Sequence, residues 1–294
     1  MPGGMDTTVG ASFIKAGRIK YLIATISLMM PLVLSHAQTT HVRVSSPVDK
    51  TLGTLANSVQ ANVIPRITCG NGWETTALLF NTAAAPATFQ QFFFAADGTF
   101  TAFTVSSSAN AQSLTTSAVQ GVINPGSSLS LTFCDPTKPA QEGWSYLNYS
   151  GGPGTISGYA TIRRTAWSGD FSFETVIPLS STQDYSVFMP FDNTQGFRSQ
   201  FTVVNPAMNL PAQVGLTYLD SLGNTVIVDS LTLQPGQQVT MVLPDVYPDL
   251  ANKTGTISVQ GNINRLSVMG LRYNDLYGAV VALPIISQAI PAQL

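Results

Sequence analysis

Histidine is where reactive chemistry in this chain has to be sought first, and it is nearly missing. The sequence holds two, His36 and His41, and both precede the part that reads as folded. Without a histidine in the folded body, Ser-His-Asp and Cys-His nucleophilic catalysis lack their base, and the commonest zinc ligand is missing too. Carboxylates are the next candidates. Glu74, Glu142, Asp170 and Glu174 fall in the first of two repeated units described below. Such residues serve as acid and nucleophile in a glycosidase when two of them share one cleft within roughly 10 Å. Solvated surface carboxylates are the simpler interpretation. Asp192-Asn193 and Asp220 offer oxygen ligands of the kind calcium takes, but Asx residues more often cap turns. No metal or cofactor is expected. No glycine-rich phosphate loop of the P-loop or dinucleotide type occurs.

Two further sets of residues carry possible chemistry. Trp73, Trp144, Trp167, Tyr146, Tyr149 and Tyr159 have the ring surface that stacks on sugars. Trp73 is assigned to the core, because it matches Phe197 in a repeat described below. Trp167, in a loop over 165–170, is the candidate ligand contact. Cys69 and Cys134 are the only cysteines. Counting strands between them puts both at one end of a sandwich, where a disulfide fits. It would close a loop of about 65 residues, worth about 4 kcal/mol on the chain-entropy account. Two independent thiols remain an alternative. A metal pair is disfavoured by the lack of a nearby histidine. Asn148-Tyr149-Ser150 and Asn252-Lys253-Thr254 fit the glycosylation sequon, a weakly specific pattern.

The elements that must position these residues follow from composition and pattern. Of 294 residues only 10% are charged, with net charge -2, while 44% are hydrophobic. Such a chain can bury a core and is not disordered. It lacks the basic face that nucleic acid requires, so no nucleic-acid partner is expected. Lys15, Arg18 and Lys20 precede an apolar run of about 14 residues from Tyr21 to Leu34, then Ser35-His36-Ala37. That order reads as a signal peptide over 1–37, cleaved before Gln38. The run falls short of the roughly 20 residues of a membrane-spanning helix, so no membrane span is expected after cleavage. The expected location is secreted, cell-surface or periplasmic. Residues 38–61 read as a flexible leader, with room for an edge strand near its end.

The rest reads as one unit written twice. Gly72 and Gly196 lie 124 residues apart, and so do Asn81 and Asn205. Asn124-Pro125-Gly126 and Gln234-Pro235-Gly236 lie 110 apart, so the first unit carries about 15 extra residues. A polar loop over 106–120 is the expected place for them. Strands are expected at 73–81, 88–95, 99–105, 128–133, 143–149, 155–163 and 171–179. In the second unit, Phe197, Phe201 and Val203 alternate with Arg198, Gln200 and Thr202, and Val214, Leu216 and Tyr218 alternate with Gln213, Gly215 and Thr217. Period-two alternation implies one buried face and one wet face. One helical turn is expected at 244–250, capped by Asp245. Short strands at regular spacing with turn residues between them predict an all-β chain: two tandem antiparallel β-sandwich domains of immunoglobulin-like kind, 62–181 and 185–288. The short junction between them implies a fixed, end-to-end relation.

The second unit reads Pro-Phe-Asp-Asn-Thr-Gln-Gly-Phe, a β run ending Asn-Pro, Pro-Gly, then Leu-Pro-Asp-Val-Tyr-Pro-Asp-Leu-Ala, Gly-Thr-Ile-Ser-Val and Val-Met-Gly-Leu-Arg-Tyr. It resembles the tandem-repeat β-sandwich segments of uncharacterised secreted bacterial proteins. The resemblance covers about 63–286 and implies repeat architecture and export. It implies no activity. The expected role is a non-enzymatic structural or adhesive module. The alternative is a glycan- or protein-binding module using first-unit loops around Trp167 and 106–120, and a carboxylate hydrolase comes third.

Overall fold

The computed structural model describes residues 42–44, 60–134, 139–165, 172–181, 185–262, 266–274, 276 and 278–287. Segment 1–37, most of the leader, Asp170 and Trp167 lie outside them. Gln38–Leu294 forms one compact unit.

The strands in chain order are β1 (Val42–Val44), β2 (Gln60–Cys69), β3 (Trp73–Asn81), β4 (Ala87–Phe94), β5 (Phe103–Ser107), β6 (Asn110–Thr116), β7 (Ala118–Ile123), β8 (Ser128–Thr132), β9 (Gln141–Tyr149), β10 (Ile156–Thr165), β11 (Ser172–Pro178) and β12 (Ser180–Ser181). They continue as β13 (Ser186–Asp192), β14 (Arg198–Val204), β15 (Ala212–Asp220), β16 (Thr225–Leu233), β17 (Gln238–Val242), β18 (Thr254–Gly261), β19 (Ser267–Asn274), β20 (Ala279–Leu283) and β21 (Ile286–Ser287). A single turn of helix, α1 (Leu243–Val246), and a 3-10 turn at Pro248–Leu250 lie between β17 and β18. The described chain is therefore all-β, as its patterning requires.

Four antiparallel sheets result. Sheet I runs β1-β7-β4-β9-β2-β12 and sheet II runs β11-β10-β3-β8-β5-β6. Sheet III runs β16-β15-β18-β13-β21 and sheet IV runs β17-β14-β19-β20. Sheets I and II enclose one core, which includes Ile64, Phe89, Phe93 and Leu147 from one side and Leu79, Phe103 and Leu131 from the other. Sheets III and IV enclose another, with Val214, Leu216 and Tyr218 facing Phe201 and Val203. Taken strand by strand, sheet III repeats the order of sheet I without β1. Sheet IV repeats sheet II without β5 and β6.

One local device recurs at both 124-spaced asparagines. The buried amide of Asn81 accepts from Ala83 N at 2.9 Å and donates to Ala85 O at 2.7 Å and Ile123 O at 2.9 Å. Asn205 accepts from Ala207 N at 3.1 Å and donates to Leu210 O at 2.8 Å and Leu233 O at 3.3 Å. An Asn side chain satisfies a turn's own backbone here, as Asx residues do in turns generally.

The structure departs from the sequence expectations in definite places. Residues 106–120 are not a polar loop, because they contain β6, the end of β5 and part of β7. β6 is Asn-Ala-Gln-Ser-Leu-Thr-Thr at a sheet edge, and an edge strand open to water on both faces has no apolar alternation to reveal it. β5 starts at Phe103 rather than Thr99. Val42–Val44, inside the stretch expected as a loose leader, pairs with β7. Asp245 does not cap α1, whose N-cap is Val242 with no side-chain cap bond. Instead Asp245 forms an ion pair with Arg198. Trp73 is half-buried rather than in the main core, packed beside Ile162 and Leu271, with the Arg164 guanidinium 5.0 Å from its ring centroid.

The largest departure concerns β14, which was expected to keep one wet face. Thr202 on the supposed wet face is 0% exposed, and Val204 beside it is buried with Val63, Phe92, Phe94, Ala118 and Trp144 of the first sheet pair. The outer face of sheet IV is thus covered by the other half, so the halves meet through faces and not end to end.

Candidate functional site: the seam between the sheet pairs

Sheet I sends alternate residues of β2, β4 and β9 outward. Val63, Phe92, Phe94, Trp144 and Tyr146 lie on this outer face and pack as one cluster. Trp144 is 0% exposed, and its ring stacks on Phe94 at 4.5 Å between centroids. Its indole N–H donates to Gly236 O at 2.9 Å, a bond from the first half to the second. Buried indole N–H groups require such a partner. Gln238 adds three more cross-links. Its amide donates to Pro65 O at 2.6 Å and Gly143 O at 3.2 Å, and its backbone N–H donates to Ala96 O at 2.8 Å. Backbones approach closely beside it. A Cβ on Gly98, at φ +87°, would lie 2.7 Å from Pro235 O. Only glycine fits both that conformation and that approach.

The polar part of the seam is Arg66. It is the one charged residue of β2 and lies at a register shift between Ile64 and Ile67. Its guanidinium ion-pairs with Glu142 at 2.6 Å and donates to the Gln200 side-chain oxygen across the seam. A largely buried arginine needs such partners, because an unpaired buried charge is costly. Next to it sheet II packs on sheet IV, because Gln200 pairs with Leu271 of β19. Ile162 and Ile177 pack there on Met269, Leu271 and Val280. Ala282 N donates to Thr175 Oγ1 at 2.7 Å.

The remaining candidates are placed as follows. Cys69 and Cys134 form a disulfide with Cα atoms 5.2 Å apart. Glu74 and Glu174 flank Arg163 across neighbouring strands. Arg163 ion-pairs with Glu74 at 2.8 Å, so a guanidinium fills the space beside that carboxylate. Glu142 is drawn to Arg66. Asp192 accepts from Thr194 N at 2.9 Å and pairs with Arg272 at 2.7 Å. Asp220 organises its turn, accepting from Leu222 N and Asn224 N at 2.9 and 2.8 Å. Among the described residues no group of three or more His, Cys, Asp or Glu is arranged to hold a metal ion. Of the aromatics, Trp144 belongs to the seam and Tyr149 to the first core. Asn148 of one sequon is buried, whereas Asn252 of the other is exposed in a left-handed turn, φ +56°.

Electrostatics follow the same pattern. Burial raises the Asp192 pKa, but the Thr194 hydrogen bonds and the Arg272 charge outweigh it and hold it below the ordinary value. Asp229, on edge strand β16, accepts from the Tyr247 hydroxyl at 2.6 Å and is also held low. Asp97 and Asp220 are lowered by hydrogen bonds from Thr99 and Asn224. A general acid working near neutrality needs the opposite shift. Burial pushes the hydroxyl of Tyr218, whose ring lies tilted against that of Tyr247 at 4.7 Å between centroids, far above its usual range.

Sequence reasoning missed Arg66, Gln200 and Gln238. The signal for Arg66 was a lone charge in the otherwise uncharged run Asn-Val-Ile-Pro-Arg-Ile-Thr-Cys. No helix among the described residues is long and apolar enough to cross a membrane. No protein-family model matches the chain, and no curated protein matches it.

Proposed function

We propose that this chain is an exported, non-enzymatic structural or adhesive protein built from two duplicated immunoglobulin-like β-sandwich units. The observation that carries this reading is the seam. Trp144, Gln238 and Arg66 join the sheet pairs through buried hydrogen bonds, which suits a part that bears load or presents a surface. The shared strand order and the paired Asn81 and Asn205 cradles support duplication. The Cys69–Cys134 disulfide is of the kind that persists in oxidising compartments. The low charge and hydroxyl-rich surface accord with a neutral extracellular module, and the ionisable groups at the seam are engaged with one another. The test is export of the full chain from a bacterium, followed by N-terminal sequencing of the released protein. The expected product begins at Gln38, and a product that keeps Met1 in the cytoplasm would overturn the reading.

The alternative is a binding module for an extracellular glycan or protein. It is favoured by the β5–β6 hairpin, an exposed addition with no counterpart in sheet IV. Retention of the protein on an immobilised polysaccharide, lost in Trp167→Ala, would select the glycan version. Passage through every polysaccharide tested would remove it.

A further inference from the structure

The seam joins one face of each sheet pair, and each of those faces has a counterpart in the other pair. On the outer face of sheet I, Val63, Tyr146, Phe92 and Ala118 lie side by side across β2, β9, β4 and β7. All four pack in the seam. Sheet III carries the matching row, Phe188, Ser258, Thr217 and Val228, across β13, β18, β15 and β16. Their chain neighbours Val187, Val259 and Leu216 point into the core, so this row faces outward. Val228 at one end of it is 73% exposed, and Ile286, paired with Phe188 at the other end, is 59% exposed.

The receiving side shows the same relation. On the outer face of sheet IV, Ala282, Leu271 and Gln200 form one row, and Met269 and Thr202 the next. Thr202, Met269 and Leu271 are buried under the first half. Sheet II carries the matching rows, Val176, Thr161 and Thr76, then Tyr159 and Leu78. Leu78 and Phe80 stand 124 residues before Thr202 and Val204, which the seam buries. The counterpart face is therefore the more apolar of the two along that strand. Yet Leu78, Phe80 and Tyr159 are only half-buried, and Val176 is 51% exposed. An apolar patch left open in this way marks an interaction site.

We propose that the outer face of sheet II receives the outer face of sheet III from a second copy of this chain, repeating between copies the packing that the seam makes within one. The occupant follows from the seam itself. The faces of sheets I and IV are complementary, and each open face is the counterpart of one of them. The proposal rests on the duplication read above, and on neither export nor adhesion. The contact is heterologous, because the two faces differ. Each added copy presents the same pair of faces again, so assembly does not stop at two. The seam's anchors are not repeated, since Thr256 stands where Trp144 does and Ser128 where Gln238 does. Four strands about 4.8 Å apart also make a smaller face than the roughly 800 Å² per partner of a standard interface. The contact between copies is therefore weaker than the seam and dissociates on dilution.

Sedimentation equilibrium of the full chain from about 10 µM to about 1 mM, the span over which weak complexes form, tests this. The weight-average mass is expected to climb past that of two copies. Val228→Asp blocks the sheet III face and Val176→Asp the sheet II face, because a charge buried without a partner is costly. Both positions are exposed, and far-UV circular dichroism checks that each variant keeps its fold. Each variant alone is expected to stay at one copy. An equimolar mixture of the two is expected to reach two copies and stop, because each variant keeps the face that the other lacks. Leu222→Asp, 85% exposed in the turn after β15, is the control and is expected to associate like the parent. A parent that stays at one copy overturns the proposal, as does association that survives in either single variant or is lost equally in Leu222→Asp. A mixture that stays at one copy, or grows past two, overturns it as well. None of these results bears on the duplication, which stands on strand order and the two asparagine cradles.

Discussion

Truncating Trp144 to alanine tests whether the seam joins the two sheet pairs into one folding unit. Trp144 is 0% exposed, stacks on Phe94 at 4.5 Å, and donates to Gly236 O at 2.9 Å. Loss of a fully buried Trp ring costs about 3–5 kcal/mol in transfer and cavity terms together. Trp144→Phe keeps most of the ring and drops the N–H. It leaves Gly236 O buried without that donor, at about 1–3 kcal/mol. The difference between the two variants therefore isolates ring packing. Urea unfolding followed by far-UV circular dichroism is the assay. The parent is expected to unfold in one transition. Trp144→Ala is expected to unfold in two, with the second sheet pair, deprived of its cover over Thr202 and Val204, melting separately. The seam argument fails if Trp144→Ala changes stability by less than about 1 kcal/mol and keeps a single midpoint.

Other outcomes can be checked in the same format. Cys69→Ser with Cys134→Ser is expected to lose about 4 kcal/mol on the loop-closure account, read from the urea midpoint; no change would mean the denatured state is already constrained. Asn81→Ala and Asn205→Ala each orphan buried backbone groups and are expected to cost about 1–3 kcal/mol, comparably in the two halves; a cost confined to one would end their equivalence. Asp192 is held below its ordinary value of 3.8, so its contribution is present above that value and lost as pH falls through the lower, folded pKa. Asp192→Asn is therefore expected to be less stable than the parent at neutral pH, and the gap should close in acid. A gap of constant size down to strong acid would refute the assignment.

Much of the fold was legible because a β-sandwich core imposes period two. Val214, Leu216 and Tyr218 were expected inside and are each fully buried. The disulfide was legible for a subtler reason. Strand counting between Cys69 and Cys134 omitted β6 and β7, yet two missing strands restore the original direction, so both sulfurs still fall at one end. β6 was illegible because Ser, Thr and Gln at a wet edge carry no apolar rhythm. The seam was half legible. Phe201-Thr202-Val203-Val204 and Leu266-Ser267-Val268-Met269 are nearly continuous apolar runs, a mark of strands covered on both faces. The clean alternation elsewhere in the second unit hid it. Trp167, the residue singled out for ligand contact, lies outside the described residues.

Local pattern by itself determined the strands with a buried face, the turns at Asn81 and Asn205, and the end of the sandwich where the cysteines meet, because each depends on neighbours in sequence or on the direction of consecutive strands. Tertiary structure alone decided that Arg66, Trp144 and Gln238 form one buried seam. Their partners across the seam lie 92 to 173 residues away. A side chain's own sequence surroundings do not say which distant surface will exclude water from it.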